Sequence, residues 1–274
     1  MRTRYEEVIG LIPAAGKASR LAPLPCSKEL FPLGFRSVGS KGGLRPKVAA
    51  HFLLEKMRLA GVGKAYVVLR KGKWDIPAYF GDGRMLDMKL AYLVAQSPFG
   101  VPYTLDEAFP FVERSLVALG FPDMVLEPED AFVQLLAKRE ATGADLVLGL
   151  FPAWQPRKTD MVNLDESGRV CSIEIKPKTT DLTYAWEVAV WTPGFTRFMH
   201  DFVSSDSRKR DLETGTGPAR FAEVQVSEVV QAAINDGLHV ESVVFEHGRC
   251  LDIGTPEDLV RAVRAQTEKP VDSR

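Results

Sequence analysis

Apolar and polar positions along this chain follow two rhythms, and each predicts a kind of element. Unbroken apolar runs of strand length occur at Val8 to Ala15 (VIGLIPAA), Ala65 to Arg70, Leu90 to Gln96 and Ala144 to Phe151. Each is bounded by glycine or polar residues, as buried strands are. Between them the apolar residues recur near helical spacing. Val48, Phe52, Leu53, Met57 and Leu59 predict a helix over Lys47 to Ala60 with Gly61 as its stop. Leu105 to Leu119 is amphipathic, the apolar run ahead of Asp123 reads as a strand end, and Glu129 to Thr142 predicts a further helix. Strand, helix, strand in repetition builds a parallel sheet, so the chain reads as α/β.

The second half keeps the alternation with shorter members. Strands are expected at Arg169 to Ile175, Trp186 to Thr192 and His239 to Phe245, and helices at Phe195 to Val203, Val224 to Asp236 and Pro256 to Thr267. Phe35 to Pro46 is glycine-rich and basic and reads as a mobile surface loop; Ser204 to Pro218 reads as an exposed one. With 274 residues and 45% hydrophobic content, one large domain over residues 1–267 with a flexible tail over 268–274 is expected.

Composition narrows the partners. Lys and Arg number 35 against 36 Asp and Glu, so no overall field favours nucleic acid or an anionic membrane, and a phosphorylated ligand would need a local basic site. Cys26, Cys171 and Cys250 are an odd number without C-x-x-C spacing, which argues against a disulfide framework or a zinc site. No apolar signal region opens the chain and no stretch has bilayer length, so a reduced, cytoplasmic protein is expected.

The chemistry concentrates between Val8 and Phe31. Gly16 and its polar turn follow the first strand, and Arg20 and Lys28 come next. A tight strand-to-loop turn presents backbone N–H groups that can cradle phosphate oxygens, while Arg adds a planar fork and Lys a point charge. The spacing is neither that of a P-loop nor the G-x-G-x-x-G of a dinucleotide fold. On this stretch alone, plain α/β punctuation stays open beside a phosphate site.

Five segments in order carry a resemblance: IPAAGKASRLAPLPCSKELFPLG, YFGDGRMLDMKLAYLVAQSPFG, FPD at Phe121 to Asp123, IEIKPK at Ile173 to Lys178, and CLDIGTPEDL at Cys250 to Leu259. Together they resemble the sugar-1-phosphate nucleotidyltransferases, or nucleotide-sugar pyrophosphorylases, and within them the glucose-1-phosphate thymidylyltransferase and uridylyltransferase branch. The resemblance implies a three-layer α/β/α Rossmann-like nucleotidyltransferase fold with a mostly parallel mixed central sheet. It implies that Ala14, Ala15 and Gly16 hold a nucleoside triphosphate, that Arg20 and Lys28 contact its phosphates, and that Gln96 and Gly100 read the base. Lys176 would grip the sugar phosphate, and Asp123 and Asp252 would hold Mg²⁺. Homo-oligomers are implied as well.

Departures from the family pattern carry their own expectations. GKASR replaces G-x-G-T-R, so Ala18 stands for a glycine, at little cost if its φ stays negative. Ser27 takes the place of a proline before Lys28, which loosens the loop. Ile175 removes a carboxylate aimed at sugar hydroxyls, and Glu187 on the next strand is the expected compensation. The base is read as thymine first and uracil next. A non-catalytic homologue that binds nucleotide or sugar nucleotide is the competing reading.

Overall fold

The computed structural model describes residues 7–38, 43–96, 99–206 and 223–267. The first apolar run forms β1 (Val8–Ala14), followed by β2 (Pro32–Val38), β3 (Gly43–Val48), α1 (Ala49–Leu59), β4 (Lys64–Arg70), α2 (Asp75–Phe80) and β5 (Lys89–Ala95). Next come α3 (Val101–Asp106), α4 (Phe109–Val112), β6 (Leu116–Leu119), β7 (Met124–Glu127), α5 (Ala131–Thr142) and β8 (Leu146–Pro152). The chain continues through β9 (Asp160–Leu164), β10 (Val170–Ile175), β11 (Tyr184–Trp191), α6 (Pro193–Ser205), α7 (Val226–Asn235), β12 (Val240–Val244), β13 (Arg249–Asp252) and α8 (Pro256–Thr267).

Nine of the strands form one mixed sheet in the order β10-β9-β11-β6-β1-β4-β5, with β8 pairing both β11 and β12. The strands β6, β1, β4 and β5 are parallel; β6, β1 and β4 are buried apolar runs as a covered parallel sheet requires, and β5 is the half-exposed edge. The antiparallel β11 joins them to the second half through Ala189↔Leu119, Val190↔Ala118 and Trp191↔Val117. Two apolar layers cover the sheet. Ile12 and Ala14 face α1, α2 and α5, whereas Ile9 and Leu11 face α3, α4, α6 and α7. The expected three-layer α/β/α arrangement is what forms.

Three expectations are corrected. Within Phe35 to Pro46 the described residues are strand rather than loop: β2 and β3 pair antiparallel from Pro32↔Val48 to Val38↔Gly43, because Leu33 and Val48 anchor the hairpin base in the core, and residues 39–42 lie outside the described residues. Leu105 to Leu119 is not one amphipathic helix but the end of α3, the short α4 and the strand β6, with Pro110 starting a new turn. Ser204 and Ser205 close α6 rather than opening a loop; residues 207–222 and the tail 268–274 lie outside the described residues. Among the described residues the three cysteines are free, and no helix is long and apolar enough to cross a membrane.

Candidate active site

Segments far apart in sequence meet beyond the carboxyl ends of β1 and β6. Lys28 opens a single 3-10 turn, and its ammonium is hydrogen-bonded to the Asp123 carboxylate, which sits in the turn between β6 and β7. Burial works against the charge on Lys28, but Asp123, then Asp252 and Glu29, hold its pKa above the usual value. Pairing of β13 with β7 sets Asp252 opposite Met124, and the Ile253 amide donates to the Asp123 carbonyl at 3.1 Å. The two acids are therefore neighbours. Burial and then the Asp123 charge push Asp252 up to about 6, with Lys28 and Arg20 opposing. Its Oδ1 is buried without a hydrogen-bond partner.

Arg20 lies against the same acid. A Cβ placed on Gly254 would meet Arg20 Nη2 and Asp252 Oδ2, each at 2.8 Å, so this glycine leaves the room in which the pair sits. After Ala14, which ends β1 buried, Ala15 is half-buried and Gly16 is exposed with nothing near its Cβ position. Ala18 has φ +51°, so the condition under which alanine costs little there is not met. A left-handed non-glycine residue costs about 1–2 kcal/mol, so the loop holds a strained turn. Nor is the loop loosened at Ser27, whose amide and hydroxyl both donate to Asp75.

Glu187 occupies a fork in the sheet. It is the extra residue of a bulge between Trp186↔Leu150 and Val188↔Gly149, and one edge of β11 passes there from β9, at Ala185↔Met161, to β6, at Ala189↔Leu119. Part of its surface reaches solvent, yet the walls of the fork desolvate it. Burial, followed by Asp252, Asp160 and Asp123, pushes its carboxyl up to about 8. Asp160, which sequence reasoning missed, starts β9; Trp186 Nε1 donates to Ser227 Oγ at 2.8 Å, and that hydroxyl donates to Asp160 Oδ2 at 2.5 Å. Its other oxygen, Oδ1, is buried without a partner.

Lys176, Gly100 and Gln96 are not drawn into the cluster of acids. Lys176, exposed at φ +43°, donates to Gln225 Oε1 at 3.0 Å. Gly100 precedes α3 and bridges Val224, the residue before Gln225. Both thus lean on the segment that enters α7, whose Ser227 holds Asp160. Gln96 is exposed just after β5. A groove of about 680 Å³ lies elsewhere, between Glu127–Glu129 and Val244–Gly248, but its lining offers three glutamates and one histidine, with no lysine or arginine to attract phosphate.

Among the described residues no three His, Cys, Asp or Glu side chains meet as a metal cluster. Asp123 and Asp252 offer hard oxygen donors, and the orphaned Asp252 Oδ1 suits a small divalent cation completed by water and phosphate oxygens. Cations set against a carboxylate pair, at the carboxyl ends of the parallel strands of a mixed sheet, are an arrangement suited to phosphate chemistry. The chain belongs to the nucleotidyl transferase family, whose model matches residues 9–269. It is 27% identical over 257 residues to a glucose-1-phosphate thymidylyltransferase of Actinoplanes sp., covering 93% of this chain and 76% of that one. To the low-salt glycan biosynthesis nucleotidyltransferase Agl11 of Haloferax volcanii it is 24% identical, covering 92% of this chain and 64% of that protein's length. A solved structure of a proposed glucose-1-phosphate thymidylyltransferase from Bacillus anthracis superposes with a TM-score of 0.80 at 17% identity, over 97% of this chain and 98% of that one. A UDP-glucose pyrophosphorylase bound to UDP-glucose gives 0.75 at 15%, over 96% and 100%. The resemblance read from the five sequence segments is upheld.

Proposed function

We propose that this protein transfers a nucleotidyl group from a nucleoside triphosphate, dTTP first and UTP next, to a sugar 1-phosphate, giving an NDP-sugar and pyrophosphate. The observation that carries it is the convergence of Arg20, Lys28, Asp123 and Asp252 from separate segments onto one point. A sugar-phosphate oxygen attacks the α-phosphorus, the bond to the β-phosphate oxygen breaks, and pyrophosphate leaves with the electron pair. The nucleophile is already an oxyanion, so the protein need not remove a proton; it must align two anions and meet the leaving charge.

Arg20 and Lys28 face the triphosphate in this reading, with Ala14, Ala15 and the open Gly16 beneath it. Mg²⁺, held by Asp123 and Asp252, would supply Lewis-acid neutralisation of the phosphates. Gln96 and Gly100 face the base, and Lys176 the sugar phosphate. Glu187, kept neutral near pH 7 by burial and its acidic neighbours, can donate a hydrogen bond to a sugar hydroxyl where Ile175 cannot. A cytoplasmic homo-oligomer is the setting proposed.

The test is pyrophosphate release with Mg²⁺, scanning dTTP, UTP, GTP, CTP and ATP against several sugar 1-phosphates. Turnover with one triphosphate, reduced at least a hundredfold in Asp123→Asn and in Asp252→Asn, is expected. Binding of a nucleotide without turnover by any pair would favour a non-catalytic role instead.

A further inference from the structure

The segment joining β4 to α2, with the first residue of α2, grips Lys28 from both sides. On the amino side, Asp75 spends both carboxylate oxygens on one residue: the Ser27 amide donates to Oδ2 at 2.6 Å and the Ser27 hydroxyl to Oδ1 at 2.7 Å. On the carboxyl side, Lys73 donates to Glu29 Oε1 at 2.6 Å, with Lys73 only 6% and Glu29 1% exposed. Asp75 is itself anchored, since its Oδ1 also accepts the Ile76 amide at 3.1 Å at the start of α2. Burial works against the Asp75 charge, but the bonds from Ser27 hold its carboxyl below the usual range. Lys17, Ala18, Lys28, Lys73 and Asp75 line one cavity of about 300 Å³.

This arrangement has more fixing than a surface loop needs. A lysine reaches through a flexible four-carbon stem, so its ammonium is placed only if the backbone beneath it and the partner at its tip are both fixed. Asp123 fixes the tip. Ser27, by donating twice, fixes the base, and a charge-assisted pair of bonds resists rotation as a single neutral bond does not.

We propose that Asp75 is a positioning residue for Lys28, acting through Ser27, so that the ammonium stands ready where leaving-group charge develops. The inference rests on the reading of Lys28 as a phosphate-facing group. Asp75→Ala, Lys28→Ala and the double variant are compared with wild type, varying nucleotide at saturating sugar phosphate and the reverse. A misplacement of about 1 Å costs up to about a hundredfold, so Asp75→Ala is expected to lower kcat/KM for the nucleotide about ten- to a hundredfold while leaving the KM for sugar phosphate unchanged. In the Lys28→Ala background the same substitution is expected to cost less than about twofold, because its route is already cut. Equal losses in both backgrounds, or no loss in wild type, overturn the proposal. Ser27→Ala keeps the amide bond and is expected to fall between, so it carries the same cycle if Asp75→Ala fails to fold. Should wild type bind dTTP with Mg²⁺ but not turn over, the nucleotidyl-transfer reading fails by itself and the cycle is read from calorimetric dTTP affinity. A wild type that neither turns over nor binds dTTP overturns both.

Discussion

His51 is the third residue of α1 and fully buried; its Nδ1 accepts the Val48 amide at 3.1 Å while Nε2 has no partner. Burial, then the charges of Arg36 and Lys47, pushes its pKa down to about 3. Between pH 6.5 and about 3 the unfolded chain takes up a proton that the folded one refuses, so this stability is complete above 6.5 and drains away as pH falls. Asn at this position can still accept the Val48 amide without titrating. Urea unfolding should therefore show wild type losing about 3 kcal/mol more than His51→Asn between pH 6.5 and 4; equal losses would refute the assignment. The sequence placed this histidine on its helix and outside the chemistry. Arg20 and Lys28 stood out in the sequence because they follow the glycine turn after the first apolar run, whereas Asp123 and Asp252 read alone as turn residues and entered only through the family resemblance. Asp75, Asp160 and Gly254 were illegible: an acid or glycine in a polar stretch looks solvated, and only the distant partner gives it a task.

Among the elements, the long buried strands and helices were readable because burial on both faces or on one stripe leaves a periodic trace. The strands missed were β2, β3, β7, β9 and β13. Of these, β7 and β13 are four residues each, too short to show a period, and they matter because their ladder sets Asp252 beside Asp123. Elements that enter the site on a glycine are similarly sensitive. Gly100 has φ +118°, and a Cβ there would lie 2.2 Å from the Val224 carbonyl oxygen. Gly100→Ala must push α7 and its approach away, taking Gln225 from Lys176 and moving Ser227 against Asp160. We expect at least a tenfold rise in the KM for sugar phosphate with the far-ultraviolet circular dichroism retained; an unchanged KM would show that the two elements are not coupled.

At the scale of the whole molecule, Glu187 on β11 is held in the field of acids from the β6–β7 turn, β9 and β13, and Asp252 on β13 in that of Asp123. The fold bears this repulsion. Asp252 titrates near 6 in the fold against 3.8 in the unfolded chain, so its cost is full above pH 6 and relieved as pH falls toward 3.8. Without metal or nucleotide, Asp252→Asn should stabilise by up to about 3 kcal/mol at pH 8, several degrees in melting temperature, and by much less at pH 4.5. Calorimetry that found the variant less stable at pH 8 would contradict the assignment. Strain of this kind is expected where local rules yield to function. The seam between β11 and β6 carries a different consequence. The loop after β1 belongs to one side of it, and Asp160, Lys176 and Glu187 to the other. The two sides can therefore be varied separately: substitutions at Asp160, Lys176 or Glu187 are expected to shift the KM for the acceptor while leaving the KM for the nucleotide in place.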